Sequence, residues 1–111
     1  MSDFPFNPVT KARFHVGQIV HHALFGYRGV VFDVDAFFSG TDEWYDEMAK
    51  SRPPRDEPWY HVMVHDEGHT TYVAERNLEA DTSGEEIFHP ALDDEFAAYE
   101  NGQYTPLFKP N

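Results

Sequence analysis

The alternation of apolar and polar positions is clearest over residues 58–78, where two strand-like runs flank a polar cluster. In the first run, Tyr60 and Val62 point to one face while Trp59 and His61 point to the other, because successive side chains of a strand alternate. A glycine in the polar cluster can adopt the positive φ of a tight turn. The pattern predicts a β-hairpin with an apolar face on both arms, which another part of the chain must cover.

Two further strands are predicted nearer the N-terminus. The run 13–22 is mostly apolar but is interrupted by Gly17, and a glycine inside a strand often marks a bulge or a sharp bend. The run 29–34 is rich in β-branched residues, which favour strands. Simple alternation places Val31 and Asp33 on the same face of this second strand.

Helical patterns occur at two places. Thr41 is followed by two acidic residues, which is typical of a helix start, and we expect a short helix within the connection 39–50. Toward the C-terminus, Leu92, Phe96 and Tyr99 recur at positions i, i+4 and i+7. That spacing predicts a short C-terminal helix with one apolar side.

The predicted elements fit one domain of the all-β class. The chain has 111 residues, of which 41% are hydrophobic and 16% aromatic, enough for one small packed core. Short strands joined by sharp turns, without alternating strands and helices, predict a small β-barrel. We place the barrel domain at residues 13–90, after a flexible N-terminal arm at 1–12 and before an acidic helix and tail at 91–111.

The charge of the chain is strongly negative. Lys and Arg number 8 against 20 Asp and Glu, and the formal net charge is −12. Such a surface repels the phosphates of nucleic acid and favours basic protein partners, although an ordinary solvated surface explains the acidity equally well.

The chain contains no cysteine, which excludes disulfides and thiolate metal sites and fits a reducing compartment. It also contains no apolar run of the length that a signal peptide or a membrane span requires. We therefore expect a soluble, cytoplasmic protein that does not associate with membranes.

No catalytic motif can be written from the residues, and the histidines do not suggest a metal site. His61, His65 and His69 are spaced by four, but in a strand the first two would lie about 13 Å apart, too far to share an ion. Asp33 and Asp35 share a strand face and such a pair can bind a cation, although a solvent-facing edge explains them as well. We expect no catalytic residue, cofactor or metal.

A binding surface is better supported than an active site. Aromatic side chains beside arginines can stack on bases or anchor a peptide. Aromatic residues that could line a groove with Arg28 are Tyr27, Trp44, Tyr45, Trp59, Tyr60 and Tyr72, although Tyr60 and Tyr72 also suit the core. The candidate surface for a protein partner or DNA consists of Arg13, Arg28, Arg52, Arg55, Trp59 and His61.

Several runs resemble one known family in both order and spacing. They are FHVGQIVHH at 14–22, GYRGVVFDVD at 26–35, EPWYHVMV at 57–64 and TYVAERNL at 71–78. The chain resembles the HspQ or YccV-like family of heat-shock proteins, which is also described as hemimethylated-DNA-binding. The resemblance covers residues 13–90.

The resemblance implies an SH3-like β-barrel in a cytoplasmic stress-response protein without enzymatic activity. It further implies a link to ATP-dependent proteolysis, as a substrate and specificity-enhancing factor of a Lon-type protease, with an effect on turnover of the replication initiator. Self-association into homo-oligomers is implied as well. Binding of hemimethylated DNA is the alternative function, which the net charge of −12 makes us rank second.

Overall fold

The computed structural model of the protein describes residues 12–107, which form two antiparallel sheets. The strands of the larger sheet are β1 (Ile19–His22), β2 (Arg28–Asp35), β3 (Trp59–Val64), β4 (Thr70–Ala74) and β5 (Leu78–Ala80), and those of the smaller sheet are β6 (Phe96–Glu100) and β7 (Gln103–Pro106). The helices are α1 (Asp42–Met48), α2 (Leu92–Glu95) and a 3-10 helix (Glu75–Asn77) between β4 and β5. The predicted arm at 1–12 lies outside the described residues except for Ala12, and so does the end of the predicted tail, 108–111.

The larger sheet has the strand order β4-β3-β2-β1-β5, so β1 is paired on both sides although β5 lies far from it in the sequence. The predicted hairpin is confirmed as β3 and β4, with Tyr60 opposite Val73. In its turn the positive φ belongs to Asp66, at 65°, and not to the glycine, Gly68. Aspartate tolerates this conformation better than most residues because its side chain is short and polar. The prediction of a small all-β fold is confirmed.

Each strand of the larger sheet contributes to one inner core, as expected for the inward face of a small barrel. This inner core consists of Phe14, Val20, Val31, Tyr60, Val62, Val73 and Leu78. The opposite face of the sheet is covered in two places. A hairpin cluster contains Ile19, Val30, Met63, Ile87, Phe96 and Tyr104, and an aromatic cluster contains Phe38, Tyr45, Ala49, Trp59 and Ala74.

A β-bulge in β2 changes which residues share a face. The register between β2 and β3 shifts between Val31 and Asp33, so the intervening residue has no partner in the ladder. Val31 belongs to the inner core, whereas Asp33 lies opposite His61 on the other side of the sheet. The prediction that Val31 and Asp33 share a face was therefore wrong, because simple alternation cannot include an extra residue.

Gly17 shortens the first strand and joins the two sheets. The predicted strand 13–22 begins only at Ile19, because Gly17 turns the chain with a φ of 95°. The Gly17 N–H donates to the Val31 carbonyl, and its own carbonyl accepts from the Tyr104 N–H, both at 2.8 Å. A Cβ at this position would lie 2.0 Å from the Tyr104 carbonyl oxygen. Only glycine fits where β7 approaches the larger sheet.

The helix predicted within 39–50 is confirmed as α1. The Thr41 side chain caps it, since Oγ1 accepts a hydrogen bond from the Trp44 N–H at 3.0 Å. The connection continues through Pro53 and Pro54 back to β3. None of the helices within residues 12–107 is long and apolar enough to cross a membrane.

The predicted C-terminal helix is correct only for its first turn, α2. Phe96 and Tyr99, assigned to that helix from their spacing, lie instead in strand β6, which pairs with β7. Asn101 and Gly102 both have positive φ, 55° and 80°, as the two central residues of a tight hairpin turn require. The turn folds the chain back, so that Tyr104 is buried beside Phe96 rather than lying in a tail.

Candidate functional site

An apolar groove with a volume of about 760 Å³ runs along β4. The loop between β1 and β2 forms one wall, which we call the loop wall, with Leu24 and Phe25 exposed by 60% and 77%. Helix α1 forms the opposite helix wall, where Met48 is 62% exposed and Trp44 is half-buried. Exposed apolar side chains that face each other across a groove are typical of a binding site.

Both walls are fixed to β4, but on opposite sides of it. On the loop side, the hydroxyl of Tyr27 and that of Thr71 share a hydrogen bond of 2.8 Å. On the helix side, the rings of Trp44 and Tyr72 meet edge to face with their centroids 5.6 Å apart. Since neighbouring residues of a strand point to opposite faces, the outer edge of β4, which pairs with no other described strand, forms the floor between the walls.

His22 holds the loop wall in place. It is buried at the end of β1, and its Nδ1 accepts hydrogen bonds from the N–H groups of Leu24 and Phe25, both at 3.1 Å. Its ring also stacks on Phe25 at a centroid distance of 4.5 Å. Burial, and to a smaller extent the neighbouring charge of His21, lowers the pKa of His22 below its ordinary value of 6.5. The neutral ring, with its proton on Nε2, is the form that can accept both bonds.

The helix wall rests on the aromatic cluster. Trp59 is only 1% exposed, and its Nε1–H donates to the Pro54 carbonyl at 3.0 Å. The Tyr45 hydroxyl donates to the Pro53 carbonyl at 2.5 Å, which ties α1 to the proline segment that follows it. The connection between β2 and β3 therefore covers Trp59 and presents the apolar side of α1 to the groove.

Beside the groove, Asp35 is the centre of a hydrogen-bond network. His61 Nε2 lies 3.0 Å from Asp35 Oδ2, and the Tyr72 hydroxyl donates to the same oxygen at 2.7 Å. The Tyr72 oxygen also accepts from the Ser39 N–H at 3.0 Å. Burial and the bond to Asp35 raise the pKa of Tyr72 to about 12, so its hydroxyl stays protonated at neutral pH.

One group in the described part of the chain has the composition of a cation site. Asp33, Asp35 and His61 offer one ligand atom each, all within 4.8 Å of one another. The sequence indicated the two carboxylates together but not His61, because the bulge that aligns the three is not visible in the alternation. Hydrogen bonds to His61 and Tyr72 account for the position of Asp35, and the expectation that the chain binds no metal stays a prediction.

The structure separates the predicted site residues into two groups. Trp59 and His61 line the groove, where Trp59 is a buried support and His61 is half-buried. Arg52 and Arg55 follow α1 in the chain, and their guanidinium groups lie 4.9 Å and 4.8 Å from the ring centroid of Tyr45. These four residues belong to the surroundings of one aromatic cluster.

Arg13 and Arg28 belong to other parts of the molecule. The side chain of Arg28 is only 17% exposed and binds both carboxylate oxygens of Asp81, at 3.1 and 3.3 Å, as well as the Glu85 carbonyl. It therefore stabilises the segment after β5 and is not available to a phosphate. Arg13 is exposed, and its backbone N–H donates to Glu75 Oε1 at 2.9 Å.

The sequence analysis named seven residues that could line a groove. Four of them line it, namely Tyr27, Trp44, Trp59 and Tyr72, whereas Arg28, Tyr45 and Tyr60 do not. The sequence analysis missed the most exposed apolar residues of the groove, which are Leu24, Phe25 and Met48. A signal was present at the first two, since an apolar pair in a tight connection between two strands stands where polar residues are usual.

A comparison with known protein families gives a match over most of the chain. Residues 12–103 match the model of the YccV-like family, described as "Hemimethylated DNA-binding protein YccV like". The match spans the whole larger sheet, both α-helices and β6, and ends at the first residue of β7. It is longer at its C-terminal end than the resemblance noted over 13–90, and it covers most of the chain. The protein belongs to the YccV-like family.

Proposed function

We propose that this protein is a non-enzymatic, cytoplasmic heat-shock adaptor. It brings protein substrates, among them the replication initiator, to an ATP-dependent protease of the Lon type. The observation that carries the proposal is the apolar groove on β4, in which Leu24, Phe25 and Met48 are left exposed. The family resemblance supplies the proteolytic setting.

The distribution of charge supports a protein partner over a nucleic acid. The net charge is −12, and several arginines that could neutralise phosphates are bound to carboxylates. Arg28 pairs with Asp81, and Arg55 pairs with Asp42. Nucleic-acid affinity depends on free cationic groups, whereas an acidic surface attracts basic proteins.

A degradation assay with purified components tests the adaptor function. We expect the protein to raise the rate at which a Lon-type protease degrades the replication initiator, and the substitution Phe25→Ser to weaken this effect about tenfold, as for an apolar anchor in an interface. Phe37→Ser is the matched control, because Phe37 is 56% exposed but does not line the groove. An unchanged degradation rate with the wild-type protein would exclude the proposal.

Self-association is part of the proposal because the family resemblance implies it. Sedimentation velocity over a hundredfold range of protein concentration should show a mass above that of one 12.9 kDa chain. A monomer at every concentration would remove this part and leave the adaptor function intact.

Binding of hemimethylated DNA is the second candidate, and the description of the matching family favours it. Mobility shifts with hemimethylated, fully methylated and unmethylated duplexes decide it when they are repeated over a series of salt concentrations. A DNA-binding module should prefer the hemimethylated duplex and bind more tightly as salt is lowered, because phosphate contacts release counterions. Absence of binding at the lowest salt would exclude this candidate.

A further inference from the structure

Strand β4 is an edge strand of the larger sheet, and within residues 12–107 no strand pairs with its outer edge. The hydrogen bonds at its two ends define the pattern of the whole strand. The Val64 N–H donates to the His69 carbonyl at 3.3 Å before β4 begins, and the Glu75 N–H donates to the Pro58 carbonyl at 3.0 Å after it ends. Both bonds belong to the antiparallel register that β3 and β4 share.

In an antiparallel pair, hydrogen-bonded positions alternate along the strand. The backbone groups of His69 and Glu75 form hydrogen bonds with β3. Those of Thr71 and Val73 therefore also point toward β3, because these residues lie at alternate positions between them in the same register. The backbone N–H and C=O groups of Thr70, Tyr72 and Ala74 therefore point away from β3. They form a row of donors and acceptors along the floor of the groove, which is what an added strand requires.

The walls of the groove determine which side chains such a strand can carry. An added strand would turn alternate side chains toward the two faces of the sheet. One set would contact the loop wall, with Leu24 and Phe25, and the other set would contact the helix wall, with Trp44 and Met48. Because both walls are apolar, both sets should be apolar, and the run should be about five residues long, the length of β4.

Charge indicates what should flank this apolar run. Helix α1 carries four carboxylates; two pair with arginines, whereas Glu43 and Glu47 have no ion-pair partner among residues 12–107. Lys50 at the groove offsets part of this, but the whole chain still carries a net charge of −12. A segment with lysine or arginine on either side of its apolar run is therefore favoured over an acidic one.

We propose that the groove binds an extended segment of a partner protein, apolar for about five residues and flanked by basic residues, as a strand added to β4. This rests on the proposed function in that it takes the groove to be the protein-binding site. The backbone groups of Thr70, Tyr72 and Ala74 provide the affinity for an extended chain, and the two walls select the apolar side chains.

Synthetic peptides test the proposal on the full chain, with fluorescence anisotropy as the measurement. The first peptide has five valine and isoleucine residues between pairs of lysines. The second has the same core between glutamates, and the third keeps the lysines but has every core amide N-methylated, so that it cannot donate to a strand edge. We expect the first peptide to bind at least about tenfold more tightly than either of the others. The second peptide loses the favourable charges, and the third loses several backbone hydrogen bonds.

Hydrogen exchange followed by NMR locates the bound peptide. Binding of the first peptide should slow exchange of the amides of Thr70, Tyr72 and Ala74, while Thr71 and Val73 change little because they already bond to β3. If the outer amides are protected in the free protein as well, a second copy or residues 1–11 already occupy the edge, and the proposal is wrong.

Matched substitutions test the floor and the loop wall separately. Thr70→Pro removes one outward donor at the first residue of an edge strand, where proline is tolerated, and Thr70→Ala keeps that donor. We expect the proline variant to bind the first peptide about two- to tenfold more weakly than the alanine variant, the range expected for one hydrogen bond. Phe25→Ser should weaken binding while Phe37→Ser does not.

The results separate this proposal from the adaptor function. Peptide binding with the predicted amide protection, but no effect on degradation, would remove the adaptor function and leave strand addition standing. Faster degradation that Thr70→Pro and Phe25→Ser leave unchanged would overturn strand addition alone. Equal binding of the N-methylated peptide would overturn it as well, because side chains would then account for the affinity.

Discussion

At the scale of the residue, His22 connects the chemistry of one imidazole to the shape of the groove. Its Nδ1 accepts from two consecutive backbone N–H groups, those of Leu24 and Phe25, and its ring supports Phe25. Protonation of Nδ1 would replace an acceptor with a donor facing two donors. The loop wall therefore depends on a neutral His22.

This dependence predicts that acid destabilises the protein through His22. The folded state lowers the pKa of His22 below its ordinary value of 6.5, so between these two pKa values the unfolded chain binds a proton that the folded chain does not. The free energy of unfolding should therefore decrease as the pH drops below about 6.5. Urea denaturation at a series of pH values from 5 to 8 measures this slope.

The substitution His22→Asn tests the assignment, because the asparagine oxygen can accept in place of Nδ1 but does not titrate. We expect a smaller pH slope in this variant than in the wild type. His69→Asn is the control, since His69 is exposed in the turn between β3 and β4 and should leave the slope unchanged. Equal slopes for all three proteins would show that other groups cause the acid sensitivity.

Residue roles at the site were only partly predictable from the sequence. Trp59 and Arg28 were both assigned to a binding surface, because an aromatic ring and a guanidinium are common in interfaces. The structure buries Trp59 under the connection that carries α1 and pairs Arg28 with Asp81. Both outcomes depend on partners distant in the sequence, and no local pattern contains that information.

At the scale of the element, the hairpin of β6 and β7 depends on close approach to one glycine. The Tyr104 N–H bonds to the Gly17 carbonyl, and Gln18 and Gln103 form a single bridge beside it. Tyr104 is also buried in the hairpin cluster, where its hydroxyl accepts from the Ile87 N–H at 2.8 Å. The hairpin is thus fixed by its backbone and its side chains at the same point.

We predict that Gly17→Ala lowers the free energy of unfolding by about 2–4 kcal/mol, from a positive φ and from a Cβ forced against the Tyr104 carbonyl. Gly84→Ala is the matched control, because Gly84 has a φ of 73° but a Cβ added there would meet no atom within 4 Å. The control should cost about 1–2 kcal/mol, the conformational part alone. Equal losses in urea denaturation would show that the contact with β7 contributes nothing.

The elements with a local signal were predictable and those set by tertiary packing were not. Thr41 identified the start of α1 because capping is a local interaction. The spacing of Phe96 and Tyr99 suited a helix equally well, and burial against Tyr104 decided for a strand. The dipeptide Asn101–Gly102 is a strong local signal for a hairpin turn, and both residues adopt the positive φ that such a turn requires.

At the scale of the whole molecule, the net charge of −12 opposes the compact state. We predict that raising sodium chloride from about 20 mM to about 300 mM increases the free energy of unfolding by about 0.5–1 kcal/mol, because salt screens repulsion between exposed charges. The double variant Glu43→Gln/Glu47→Gln has two fewer negative charges and should respond less. Thermal unfolding at the two salt concentrations measures the response of the wild type and of the double variant. A melting temperature that falls with salt would show that ion pairs outweigh the repulsion.

The pairing of β1 with β5 has a consequence for how the chain is made. Strand β1 can pair with β2 after one short loop. Its other edge has no partner until the ribosome adds residues 78–80, which form β5. Until then β1 is an open edge on a nascent chain, and open edges invite pairing with neighbouring chains. Synthesis that stops before Leu78 should therefore yield an aggregating fragment, whereas a chain that continues through β5 covers that edge itself.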